Sequence, residues 1–248
     1  MEANPDQRFL PYLLPLIGGS DLREAARRAI VATGPETVRA LDEALGDPDT
    51  PRKVRRRIPH TIIRFEPDVA AEILQRHLER ERDGSIRLKI LRALNRLQSM
   101  NPDIEIDDAL LEDQLRSTLL RIGQVMGWRA ALEEGEVDHS QDAELLIAAL
   151  RDKEKATLER AFWLMWLRHP SENLVLVWRG LQSDNPRLRA ASVEVLEAVL
   201  NGGLRESVLA LVDVGEPTAR RARAAAAALG ESLPNRSMRE ALDEMSRD

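Results

Sequence analysis

Five basic residues crowd into one short stretch: Arg52, Lys53, Arg55, Arg56 and Arg57. A planar guanidinium donates two parallel hydrogen bonds to one oxyanion, so a cluster of this kind could grip phosphate. The competing reading is a solvated helical face. Wound as a helix, the five leave a clean apolar stripe of Val54, Ile58 and Ile62 and can pair with acids of neighbouring helices, and the balance of residues favours this second reading. Only 3% of the residues are aromatic. Against that background Trp163, Trp166 and Trp178, with Phe162 and Trp128, could build an aromatic wall for a ligand or a flipped base. Leu164, Met165 and Leu167 make the same helix apolar nearly all round, which points to core packing first and an interaction surface second.

Other chemistries find less support. His60, His77, His139 and His169 include no pair at metal-ligand spacing on one helix face, and there is no cysteine, so neither a metal nor a cofactor is expected. The acidic stretch Glu133-Glu134-Gly135-Glu136 with Asp138 lacks the ordered oxygen spacing of a calcium loop and reads as a mobile tip. Gly202-Gly203 reads as a helix-to-helix turn, and the Gly-x-Ser-x-Gly elbow of serine hydrolases is absent. Absence of cysteine excludes disulfides and thiolate chemistry and fits a reducing cytoplasm. Lys+Arg 36 against Asp+Glu 42 gives a net charge of −6, which disfavours general nucleic-acid binding. The apolar run Phe9 to Ile17 is shorter than the ~20 residues that span a bilayer and holds two prolines, so neither membrane insertion nor a targeting segment is expected.

The elements that must position these groups are helices. With charged residues at 31%, few aromatics and much alanine, leucine, arginine and glutamate, the composition predicts an all-α chain. One complete unit runs from Ser183 to Leu200. Asp184 or Asn185 caps a helix, Pro186 sits in its first turn, and Leu188, Ala191, Val195 and Leu196 share a face. The pair Leu188-Arg189 recurs as Leu22-Arg23, Val54-Arg55, Ile86-Arg87 and Ala219-Arg220, with the weaker Ala156-Thr157 in register. Successive steps are 32, 32, 70, 32 and 31 residues. A near-constant step of this size predicts a stacked helical repeat, an α-α superhelix with a helical hairpin inserted near its middle.

Taken in order, the pattern predicts one domain over 1–248. A partial repeat over 8–17 covers its neighbour with Tyr12-Leu13 and Leu16-Ile17. Regular repeats fill 20–99, and within them a helix over 52–65 is kinked at Pro59. An irregular region over 107–151 holds one long helix from Asp107 to Leu132 and a shorter one from Asp142 to Leu150. Regular repeats and a C-terminal cap fill 152–248, starting with a helix from Lys153 to Arg168 and one capped by Ser171. Aspartate–arginine pairs, Asp49 to Arg55 and Asp184 to Arg189, are expected to tie units together.

On Asp184-Asn185-Pro186-Arg187-Leu188-Arg189-Ala190-Ala191 and its recurrences, the chain resembles HEAT-repeat proteins, an armadillo-like α-solenoid class, from roughly Leu10 to Leu229. Leu22-Arg23-Glu24-Ala25-Ala26 and Val54-Arg55-Arg56-Arg57-Ile58-Pro59 carry a narrower likeness. With Asn185 to Arg189, they look like the HEAT region of bacterial multidomain proteins that hold an ATP/ADP-translocase-like membrane domain. That resemblance implies a cytoplasmic module that regulates or links a transporter-like part, tethered to the inner membrane through a larger chain.

The expected function is therefore a non-catalytic protein-interaction scaffold or regulatory domain, with a protein or adjacent domains of the same polypeptide as partner. Its expected contact residues are Arg39, Glu43, Gln75, Glu79, Arg179, Gln182 and Arg205, together with Trp163, Trp166 and Trp178. The alternative is a nucleic-acid enzyme resembling the HEAT-like alkylpurine DNA glycosylases; no aspartate lies near Trp163 and Trp166 to complete that likeness. A HEAT-type lyase or hydroxylase has the least support.

Overall fold

The computed structural model describes residues 7–134 and 141–246, and within them every regular element is a helix. Two compact units divide the chain, Met1–Leu110 and Leu111–Asp248, and the division falls in the first turn of a long helix.

In unit 1 a 3-10 turn leads into α1 (Leu10–Ile17), followed by α2 (Arg23–Ala32) and α3 (Thr37–Gly46). Gly34 turns the chain between α2 and α3 at φ +113°, a backbone region nearly closed to residues with a Cβ. Next come α4 (Arg52–Arg55), α5 (Ile58–Ile62), α6 (Pro67–Arg80) and α7 (Gly84–Met100). The expected kinked helix over 52–65 is thus two short helices. Pro59 has no N–H to give the Arg55 carbonyl, so α4 stops and α5 starts afresh with Pro59 in its first turn. The apolar stripe survives the break: Val54, Ile58 and Ile62 are all buried, as are Ile86, Ile90, Leu91, Leu94 and Leu97 of α7. α3 packs on α5 and α6, and α7 packs on both α5 and α6.

Unit 2 is built on α8 (Asp108–Glu134) and α9 (Gln141–Arg168), followed by α10 (Leu174–Leu181), α11 (Pro186–Val199), α12 (Gly202–Val212), α13 (Thr218–Ala228) and α14 (Met238–Met245). Asp107 caps α8 through the N–H groups of Ala109 and Leu110. The separate helices expected over 142–150 and 153–168 are one helix. Arg151, Asp152 and Lys153 contain no breaker, and good helix formers carry the α9 ladder through. A second correction concerns α10, which is capped by Asn173 rather than by Ser171. Between α12 and α13 the approach is close: a Cβ on Gly203 would strike the Ala228 carbonyl, and Ala222, Ala225 and Ala226 are buried.

The core of the long helices gathers Val125, Trp128, Leu132, Leu150 and Ala241, with Met238 and Met245 packed on them. Trp128 is fully buried, and its indole N–H donates to Glu244 Oε2 at 2.7 Å. Arg121 lies 4.9 Å over its ring.

The recurring Leu-Arg register has a physical meaning that its spacing alone did not disclose. Arg55 donates to the carbonyl of Leu45 at 2.9 Å, and Arg87 to those of Leu78 at 3.1 Å and Glu81 at 3.0 Å. Arg189 donates to Ser183 O at 2.6 Å, and one residue after the register position Arg221 donates to Leu211 O. Arg55, Arg87 and Arg221 thus sit in the first turn of one helix and satisfy carbonyls at the end of the helix before it, where the dipole favours a cation, while Arg189 reaches a loop carbonyl just past α10. The expected aspartate–arginine pairs are not formed. Arg55 pairs with Glu81 at 2.6 Å, and Arg189 uses a carbonyl. Burial is not uniform along the register either. Val54 and Ile86 are 2% and 0% exposed, whereas Leu22 and Leu188 are 56% and 52% exposed, Ala191 is exposed, and α11 buries Ser192 with Leu196. A first-turn residue is buried only where another element overlaps that end of its helix. Tyr12 and Leu16 of α1 are likewise exposed, and only Ile17 of that helix is buried.

Candidate functional site

The break at Pro59 divides the basic stretch between two tasks. Arg52 pairs with Asp83, the cap of α7, and Arg55 pairs with Glu81, so these two hold unit 1 together. Burial pushes the Asp83 carboxyl up, but Arg52 and the Ser85 hydroxyl and N–H outweigh it and hold the group far below the usual range. Arg56 and Arg57, in the turn between α4 and α5, line a cavity instead.

That cavity measures about 270 Å³ and opens to solvent. Arg27 of α2, His60 of α5, and Lys89 and Arg92 of α7 line it with Arg56 and Arg57; Ala93 supplies the apolar remainder of the wall. Six cationic or basic side chains from three helices and a turn meet there, and no carboxylate is among the lining residues. Arg27 is the most buried of them, 7% exposed. Its nearest acid is Glu24 at 3.6 Å, which is itself held by Arg64 at 2.7 Å, and the Arg27 Nε is buried with no acceptor.

The local field is positive, and three groups register it. Burial lowers the pKa of Arg27, with Arg64 and Arg23 adding to it against the opposing pull of Glu24. Arg57 is lowered by burial and then by Arg23 and Arg56. His60 is lowered first by burial and then by Arg27, Arg96 and Arg64, so its neutral form dominates near pH 7. An anion placed here would relieve like-charge crowding.

The residues expected from the sequence to make contacts are distributed differently. Arg39 and Glu43 are exposed one turn apart on α3 and pair with each other at 3.2 Å. Glu79 is exposed on α6, but Gln75 is engaged within unit 1: its Oε1 accepts from Asp107 N at 2.7 Å and its amide donates to Glu105 O at 3.4 Å. In unit 2, Arg179 and Gln182 are exposed at the end of α10, and Arg205 is half-buried on α12. The tryptophans form no single wall. Trp178 rests on Phe162 with ring centroids 5.0 Å apart, Trp163 on Trp166 at 5.2 Å, and Trp128 belongs to the separate buried cluster.

A larger cavity of about 530 Å³ lies in unit 2, lined by Arg116, Arg168, His169, Glu112, Asp113 and the turn Asn201-Gly202-Gly203, among others. Its arginines are matched: Arg168 pairs with Glu112 at 3.0 Å, and Arg116 donates to Leu229 O and lies 3.7 Å from Glu231. The acidic tip has a structural role where it is described, since Glu133 bridges Arg129 and Arg151, each at 2.9 Å; Gly135, Glu136, Asp138 and also His139 lie outside the described residues. Among the described residues no group of three or more histidines or carboxylates is placed to hold a metal ion, and no helix is long and apolar enough to cross a membrane.

No family model matches the chain, and no curated protein and no solved structure matches it either. The geometry of unit 1 therefore carries the functional argument. Sequence reasoning found Arg56 and Arg57 but missed Arg27, His60, Lys89 and Arg92. These lie up to 65 positions apart along the chain, and none stands out from its neighbours. The one available signal was that Arg27, Lys89 and Arg92 belong to helices predicted to flank the basic stretch.

Proposed function

We propose that the chain is a non-catalytic helical-repeat module that works by binding, and that it holds an anionic group of its partner in the basic cavity of unit 1. One observation carries this reading: six basic side chains from separate elements converge on one cavity whose lining includes no acid. The HEAT-like superhelical reading is supported by the recurring register and by the arginines that tie successive helix ends. On that reading a protein, or an adjacent domain of a larger cytoplasmic or membrane-tethered polypeptide, is the natural partner.

A second reading, nucleic-acid binding, draws on the same basic cavity. It is the weaker of the two, because a polyanion is gripped by a strip of cations along its backbone, and the chain carries −6 overall. The test is capture from the source cell by the wild-type chain and by the charge-reversed R56E/R57E variant. A protein retained by the wild type and lost by the variant is the expected outcome. The same set of proteins on both, or retention of nucleic acid alone, would overturn the proposal.

A further inference from the structure

Resting on that reading of the cavity, we infer that its ligand is a single phosphate dianion, free or as the terminal group of a phosphomonoester. The donors of the wall favour phosphate over a carboxylate. The wall offers guanidinium forks from separate elements, Arg27 of α2 and Arg56 and Arg57 of the α4–α5 turn, so donors approach from more than one side. A carboxylate presents two oxygens in one plane, whereas a terminal phosphate presents three oxygens in a pyramid and about −1.5 to −2 charges.

Size points the same way. About 270 Å³ is roughly nine times the volume one water occupies in the liquid, ample for a phosphate and the first atoms of its ester. A phosphodiester strand carries one charge per phosphate and needs a groove to run through, which a cavity of this volume does not supply.

The full chain is titrated by calorimetry with inorganic phosphate, O-phosphoserine, acetate and succinate at matched ionic strength, and its thermal unfolding is followed with each. Phosphate or phosphoserine is expected to bind and raise the midpoint, with the R56Q/R57Q variant losing at least about tenfold in affinity, as for one or two charge-assisted hydrogen bonds. Arg27→Lys, which keeps the charge without the fork, is expected to weaken binding, and Arg39→Gln on the far-exposed α3 pair to leave it unchanged. Phosphate binding with none by phosphoserine assigns the site to the free ion; tighter phosphoserine binding assigns it to an esterified group. Phosphate also stabilises proteins by exclusion from their surface, and that effect would persist in R56Q/R57Q. Equal responses of wild type and variant, or binding of acetate and succinate but not phosphate, would overturn the inference; the second result would leave the binding-module reading standing.

Discussion

Arg129 of unit 2 and Arg27 of unit 1 are buried to the same degree, 8% and 7% exposed, yet their surroundings are opposite. Arg129 lies between two carboxylates, Glu154 at 2.5 Å and Glu133 at 2.9 Å, and although burial works against its charge these partners raise its pKa. Arg27 has one distant, shared carboxylate, and burial, with Arg64 and Arg23 behind it, outweighs that partner and lowers its pKa. The first arrangement is closed: every strong donor points at an acid of the same unit. The second leaves a crowded cation beside a cavity lined by other basic side chains. A buried arginine thus reports structure or binding according to what surrounds it, and residue type alone does not separate the two.

The comparison can be broken at its structural end first. Trp128→Ala empties the site under Arg121 in the core of the long helices and removes the bond to Glu244; urea unfolding should show a loss of about 3–5 kcal/mol. Next comes the direct contrast. Arg129→Met strands Glu154 and Glu133, both partly hydrated, and should cost about 2–3 kcal/mol, somewhat below the usual penalty for breaking a fully buried pair. Arg27→Met removes a crowded cation and an orphan donor and should cost under about 1 kcal/mol or stabilise. Equal losses in the two variants would erase the distinction drawn here.

Asp83→Ala should cost about 1–2 kcal/mol, because it removes the cap of α7 and the partner of Arg52 together. Its effect should persist through mildly acidic pH and fade only as the pH falls below the ordinary Asp value of 3.8 toward the depressed value of the folded state. The smallest effect is the most diagnostic of the cavity. His60 titrates below its ordinary value of 6.5, so as the pH falls through that value the unfolded chain takes up a proton before the folded one does, and stability drops. Arg27, Arg96 and Arg64 produce this penalty after burial itself, and Glu24 opposes it. Unfolding measured from neutral to mildly acidic pH should show that decline in the wild type and a flatter profile in His60→Gln. A wild-type profile that is flat across the same range would remove the evidence for a positive field at His60.

Much of the helical framework was legible beforehand because local rules decide it. Capping by Asn185 and the long α8 follow from side chains within a few positions of each other, and the buried stripe of Val54, Ile58 and Ile62 is a matter of helical period. Where expectation failed, a non-local fact had decided. The repeat of arginines was visible as spacing, but its purpose depends on a carbonyl about 6 to 10 residues back, at or just past the end of the preceding helix, and on where that helix ends. The exposure of Leu22 and Leu188 depends on which helix ends are overlapped by others, and a hydrophobic period says nothing of that.

By itself, then, the order of residues determined that the chain is helical, where most of its helices begin, and that arginines recur at their first turns, since each of these rests on interactions within one or two turns of backbone. Only the tertiary structure decided which arginines are neutralised and which face open space. Electrostatic pairing acts through distance in space, and Arg27, Arg57 and Lys89 become neighbours only after α2, the α4–α5 turn and α7 have come together.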